Sequence, residues 1–316
     1  MSAPNNNPKG ILLILSGMAL FSIQDSLIKY IFEESALYEL YFGRTLTALI
    51  LLFIFLKFRS QKLVFKTHYP LLTCCRVICF FFGFSFFYIS LTYMSLAMAN
   101  ALFFSSPFFI SILAIIFLGE KVGIRRWIAI FVGFIGVYIV LNPDFENFNY
   151  MKLAPVACAL CYAISMTITK ITSDKDNVYS QMFHLYIGAI GISILFFIFT
   201  GKGQFNTFSD PTFQFITREW FTNTTYAWPY IVAMGFVAAV SFYCVFSAYS
   251  VASPSVVSLF EYSLIIWAII IGYVLFNDVP TIRTFVGVAL IIGAGVYIYL
   301  REKAKDQMIV TDTPNR

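Results

Sequence analysis

Five charged residues lie inside apolar stretches of this chain: Asp25, Lys29, Arg44, Arg76 and Glu261. A charge near the centre of a bilayer costs about 2.5–3.5 kcal/mol even on a lenient insertion scale. Five of them on lipid-facing surfaces would exceed a typical net stability, so they are expected to face the interior of a helical bundle. Glu261 sits roughly 12–14 Å along its segment at 1.5 Å per residue. There it can hold a substrate amine, couple transport to a proton, or stay as a buried acid bonded to a neighbouring helix. Asp25 and Lys29 are four residues apart, close enough on one helix face to pair. Arg44 enters its helix from the opposite side and reaches the depth of Asp25. The three can form a gate, a structural ion pair, or a site for a zwitterion with Asp25 on the ammonium and Arg44 on the carboxylate. Arg76 can line the same space or reach back to headgroups with its long stem.

Around these charges, Tyr93 and Asn100, Tyr243 and Tyr249, and Tyr262 and Trp267 are candidate cavity residues, because aromatic faces can enclose a planar or cationic ligand. The chain holds 19 Tyr and 37 Phe, so most of its aromatics must serve packing. Gln181 and His184 share a helix face and suit interhelical hydrogen bonds. Pro107, after Ser105-Ser106, is expected to kink its helix and act as a hinge. Cys158 and Cys161 have metal-like spacing but lie within an apolar helix with no histidine cluster, so no metal site, catalytic residue or cofactor is expected.

These residues need an apolar scaffold. Hydrophobic residues make up 59% of the 316 and charged ones 12%, about half the charge a soluble surface requires. The basic residues fall in loops and form no patch for nucleic acid. At about 20 residues per crossing, ten segments emerge: 10–31, 37–57, 69–90, 93–119, 124–142, 151–171, 179–199, 228–248, 252–276 and 282–300. Each must be helical, since lipid offers the backbone no partner. Of the 21 Lys and Arg, fourteen fall on one side with the N-terminus, four on the other and three within spans. That bias predicts N-in, C-in topology. The long loop 201–228 lies outside and reads as an interfacial strap.

Two stretches echo each other. In Ala99 to Leu141 and in Ser253 to Leu300, an apolar helix ends near an acid (Glu120, Asp278). Arg125 and Arg126, or Arg283, follow, and then a glycine-spaced helix closes on Gly136-Val137-Tyr138-Ile139 or Gly295-Val296-Tyr297-Ile298. Five helices per half place the second repeat upside down relative to the first. The expected repeats are residues 1–146 and 147–316. The glycine runs at 133–136 and 287–295 read as close helix packing.

The run Glu261-Tyr262-Ser263…Trp267, the turn Asn277-Asp278-Val279-Pro280 and Leu118-Gly119-Glu120-Lys121 resemble the two repeats of EamA-type carriers in the drug/metabolite transporter superfamily. Phe21-Ser22-Ile23-Gln24-Asp25…Lys29, with Arg44 and Arg76, is similar to the subgroup that includes S-adenosylmethionine uptake carriers. The resemblance implies a multi-pass inner-membrane protein that is not an enzyme and moves a small molecule by alternating access.

The expected cargo is a small polar or zwitterionic metabolite bearing an amine, S-adenosylmethionine among the candidates. A broad-specificity efflux carrier is the alternative, and a passive membrane scaffold a third. The partners implied are the substrate, the lipid bilayer, a proton or counter-substrate, and a second copy of the chain.

Overall fold

The computed structural model of the chain describes residues 6–60, 63–94, 96–120, 123–141, 153–207, 210–276, 281–283, 285–290, 293–294, 296–297 and 300. The turn Asn277 to Pro280, Gly295, Lys62, Lys121, Lys152 and the basic tail from Arg301 lie outside those residues.

The chain opens on α1 (Asn7–Ile31), where the Asn6 side chain accepts the Lys9 N–H at 3.2 Å and Pro8 occupies the first turn. Both choices suit an N-terminus, which has spare donors to satisfy and no use for one more. Next come α2 (Leu37–Phe58), α3 (Pro70–Ser90), α4 (Leu96–Phe103), α5 (Ser106–Leu118) and α6 (Ile124–Leu141). The second half holds α7 (Ala154–Thr172), α8 (Val178–Thr200), the short α9 (Pro211–Thr217), α10 (Thr224–Val251) and α11 (Pro254–Val257). A 3-10 turn, Ser258–Tyr262, then leads into α12 (Ser263–Phe276). Beyond it, residues 282–283, 285–290, 293–294, 296–297 and 300 are helical.

No strand occurs among the described residues. Among the described residues, seven helical stretches are long and apolar enough to cross a membrane, the last running Pro254–Leu275, and Ser106–Leu118 and Trp127–Gly136 are shorter apolar helices. The surface is apolar: Phe58, Leu71, Ile116, Ile198 and Phe199 are exposed, while Asp25, Arg44, Arg76, Asn100 and Glu261 are buried. A bundle solvated by lipid sorts its residues this way, because lipid tails accept hydrocarbon and reject charge.

Two expected helices are interrupted. The span 93–119 is not one kinked helix. α4 stops at Phe103, Phe104 and Ser105 form a turn, and Pro107 stands in the first turn of α5. Pro107 therefore begins a helix, where its missing N–H costs nothing. The span 252–276 is broken at Ser258–Tyr262 by the 3-10 turn. The loop 201–228 carries α9, which packs on α2.

The most extensive packing joins α1 to α10, α3 to α7, and α2 to both α10 and α8. Gly17 allows the first of these: a Cβ there would stand 2.8 Å from Val245 Cγ2. Gly133 of α6 makes room for the Tyr262 ring, 2.8 Å from where its Cβ would be. The glycine run nearer the C-terminus departs from expectation at Gly293, where an added Cβ would meet nothing within 4 Å among the described residues.

Candidate functional site

The two interruptions meet. Ser106, which opens α5, donates its hydroxyl to Glu261 Oε2 across 3.3 Å. Phe104 packs edge-on against Tyr262 at 5.3 Å. The broken helix of the first half therefore crosses the broken helix of the second half at their breaks. Interrupted helices at corresponding places in two halves are a sequence-readable pointer to a transporter's binding site.

Glu261 lies at this crossing and is fully buried. Three hydroxyls from three different helices converge on its carboxyl. Tyr162 of α7 donates to Oε1 at 2.7 Å, Tyr249 of α10 donates to the same oxygen, and Ser106 of α5 donates to the other. No Lys, Arg or His forms an ion pair with it among the described residues. Among the described residues, the side-chain groups bonded to this carboxyl are all hydroxyls.

A cavity opens beside this cluster, lined by Met18, Phe21, Asp25, Phe84, Phe87, Asn100, Phe103, Tyr162 and Leu264. Phe84, Phe103 and Tyr162 form an aromatic corner: Phe103 meets Tyr162 at 5.2 Å, and Phe84 stands 6.2 Å from Tyr162 at 85°. Asp25 Oδ1 and both polar atoms of Asn100 are buried without a hydrogen-bond partner among the described residues. Buried polar groups are normally satisfied, so unused capacity lining a cavity calls for a partner there, a water or a ligand atom. The space for a water's centre is about 20 Å³, enough for one water. In this conformation the space is too small for a metabolite.

The sequence-predicted residues separate into groups. Asp25 and Asn100 line the cavity, and Glu261 lies behind it, reached through Tyr162. Arg44 does not ion-pair with Asp25. Its Nη1 donates to Tyr88 at 3.0 Å, and its guanidinium lies 4.6 Å from the Tyr41 ring. Tyr88 also accepts from Gln24 at 3.1 Å, so this phenol stands between the arginine and the residue beside Asp25. Lys29 is half-buried one turn beyond Asp25. Arg76 donates to Gln181 at 2.7 and 3.2 Å, tying α3 to α8.

The other aromatic candidates are spread wider. Tyr262 is buried between Phe104 and Gly133. Tyr243 stacks on Tyr179 at the outer surface. Trp267 is 40% exposed. Tyr93 bonds Asp210 at 2.8 and 2.7 Å, outside the cavity. His184 faces the carbonyls of Ser180 and Phe65 at 2.6 and 2.9 Å.

Sequence reading missed Tyr162, Tyr88 and the serines that bond Glu120. Two of 19 tyrosines carry no local mark, and only the fold shows what they touch. At the face holding the N-terminus, Glu120 accepts from Ser253 at 2.8 Å and from Ser255 at 2.5 Å. Asn6 donates its N–H to the Val251 carbonyl at 2.8 Å. At the opposite face Arg218 holds the α1–α2 turn through the Phe32 and Ser35 carbonyls at 2.8 and 2.9 Å. Tyr93 there donates to Asp210, which this bond above all keeps below the ordinary carboxylate range.

Known proteins share this plan. A solved crystal structure superposes with a TM-score of 0.75 at 15% identity, covering 95% of this chain and 99% of its own, which is a likeness of fold. The S-adenosylmethionine uptake transporter of Rickettsia bellii is 26% identical over 294 residues, 93% of this chain and 94% of that protein. The riboflavin transporter of Vibrio cholerae is 28% identical over 207 residues, 66% of this chain and 63% of that protein. The model of the EamA-like transporter family matches residues 8–142 and 151–300, nearly the whole length in two copies. An all-helical, apolar-surfaced chain with two broken helices crossing over a buried acid therefore belongs to the EamA-like transporter family.

Proposed function

We propose that this chain is a secondary carrier of the inner membrane that moves a small amine-bearing metabolite with a planar or cationic group, S-adenosylmethionine foremost. It works as ten helices, N-in and C-in, in two inverted repeats, 1–146 and 147–316, that rock about the crossing of the broken helices. One observation carries the substrate class. Asp25 and Asn100 line an aromatic-walled cavity with hydrogen-bonding atoms unused. A carboxylate attracts a cationic group, aromatic faces favour a cation or a flat ring, and an amide can read a donor and an acceptor on one ligand. The names of the relatives support this reading, since both cargoes carry a flat heterocycle.

Contacts at the two faces support a reading of alternating access. Breaking the Glu120–Ser253–Ser255 bonds opens the face with the N-terminus, and releasing Arg218 and the Tyr93–Asp210 bond opens the other. The cavity is closed to a metabolite in the present conformation, with Phe104–Ser105 and Ser258–Tyr262 as the bending points. Arg44 bears on the substrate's negative end only when Tyr88 moves aside.

The test is a ligand-stability screen of the purified chain against S-adenosylmethionine, riboflavin, amino acids, polyamines and nucleosides. A ligand at 100 times its dissociation constant should stabilise the fold by about 2.7 kcal/mol. Asp25→Asn should weaken an amine-bearing ligand about tenfold, roughly 1.4 kcal/mol, without lowering the melting temperature of the free protein. Stabilisation by neutral apolar drugs, insensitive to Asp25→Asn, would replace this substrate class with broad efflux.

A further inference from the structure

We propose that Glu261 is a proton-binding site that locks and releases the two halves of the carrier, separate from the substrate cavity but sharing Tyr162 with it; this rests on the carrier reading above. The donor set is the first argument. Glu261 receives three hydroxyl protons, from Ser106, Tyr162 and Tyr249, on α5, α7 and α10. An ionised carboxyl is purely an acceptor and takes all three. A protonated carboxyl carries an O–H that must itself donate, so one of the three bonds reverses or breaks. The weakest is the 3.3 Å bond to Ser106, the only one of the three from the first half of the chain.

The second argument is charge. Tyr262 adjoins Glu261 on the same turn, and its hydroxyl has no partner among the described residues. α1 and α11, which also pack against the turn, bring no charged group to bear on it. With no fixed cation beside it among the described residues, the carboxyl depends on three rotatable hydroxyls. Such a cluster accommodates either form by turning O–H bonds, which a site that cycles requires. A carboxyl beside a fixed arginine would stay ionised.

The step balances as follows. A proton from water at an open face binds Oε2. The new O–H points to Ser106 Oγ, and the Ser106 hydroxyl turns its own hydrogen away, to a carbonyl of the preceding turn. The tie between α5 and the 3-10 turn passes from a charge-assisted bond to an ordinary one, roughly half as strong. Release of the proton at the other face restores it. Tyr162 connects the events: its ring lines the cavity and its hydroxyl holds Oε1, so a ligand that displaces the ring strips a donor from the carboxyl.

The experiment is difference infrared spectroscopy on the full chain in lipid nanodiscs, titrated with no substrate present. The expected result is a carboxylic-acid C=O band that appears as pH falls, absent from Glu261→Gln. Tyr162→Phe, which keeps the ring but removes a donor to the anion, should move the band's midpoint about one unit upward, a tenfold gain in proton affinity. Tyr186→Phe is the control, since that buried hydroxyl bonds nothing among the described residues. Hydrogen exchange at residues 104–110, corrected for its intrinsic pH dependence, should quicken on acidification in the native chain and be insensitive in Glu261→Gln. A pH-independent band, or a titrating band that Glu261→Gln leaves unchanged and Asp25→Asn removes, overturns the proposal, since Asp25 is the other buried carboxyl beside the cluster. A titrating band in a chain that binds nothing from the ligand panel would instead unseat the substrate reading and leave the proton site standing.

Discussion

The two broken helices reach the same geometry by different routes. In the first half, the break between α4 and α5 is written locally. Ser105 bonds its own hydroxyl back to the Leu102 carbonyl at 2.9 Å, and Pro107 denies α5 one backbone donor in its first turn. In the second half, no proline, glycine or asparagine lies within Ser258–Tyr262. Pro254 comes earlier and only opens α11. What accompanies the second break is Glu261, held by hydroxyls from three other helices. One break is a property of its segment and the other of its surroundings. On the proposed mechanism, one bending point is set by its own segment and the other takes its shape from the bonding of a single carboxyl.

That contrast is easiest to break at Glu261. Glu261→Ala leaves three buried hydroxyls without their acceptor and a small void, and should cost about 2–4 kcal/mol. The check is the melting temperature of the purified protein, alongside hydrogen exchange at 258–262. Unchanged stability would mean the turn is intrinsic to its segment after all.

The donors should rank by distance and burial. Tyr249→Phe removes a fully buried phenol donor to the carboxyl and should cost about 1.5–3 kcal/mol. Ser106→Ala removes the longest bond and should cost about 0.5–1 kcal/mol. Melting temperatures of the two variants, read beside the double variant, give the order. Equal costs would show that the three hydroxyls do not act as one set.

The first break should respond to a local change alone. Pro107→Ala restores a backbone donor and should leave stability within about 1 kcal/mol of the native chain. Protection from exchange at 103–107 should rise and transport should slow, while residues 258–262 keep their native exchange. A change at both breaks would show that the hinges move together.

The smallest effect belongs to the loops that frame the bundle. Asp176, between α7 and α8, accepts from Thr67 and from the His68 N–H at 3.1 Å. Burial pushes its carboxyl up, but the bonds from Thr67 and His68 outweigh that and hold it below the ordinary range. A lowered native value means the stabilisation is complete above the unfolded carboxyl's range, about pH 4, and fades as pH falls through the native value. The native chain should lose a little stability on that descent and Asp176→Asn should lose less, the remainder belonging to carboxyls such as Asp210, as paired thermal melts would show.

Much of the fold was legible because lipid allows few solutions. Seven of the expected spans coincide with long apolar helices to within a few residues, and charge scarcity required the buried positions of Asp25, Arg44, Arg76 and Glu261. Pro107 marked the first break, though as the start of a helix and not a kink within one. The second break was not legible, since Ser258–Tyr262 contains no residue that disfavours a helix. The predicted pairing of Asp25 with Arg44 also gave way. Tyr88 sits between α1 and α2 and takes the arginine's bond, and nothing near Tyr88 in the chain signals that.

The amino-acid sequence by itself determined the solvent, the helices and which charges must turn inward, because backbone and charge penalties in hydrocarbon act residue by residue. Tertiary structure alone decided which hydroxyls meet Glu261 and which polar atoms are left free beside the cavity. Those contacts join residues up to 155 positions apart, as Ser106 and Glu261 are, and no periodicity within a segment encodes such a distance.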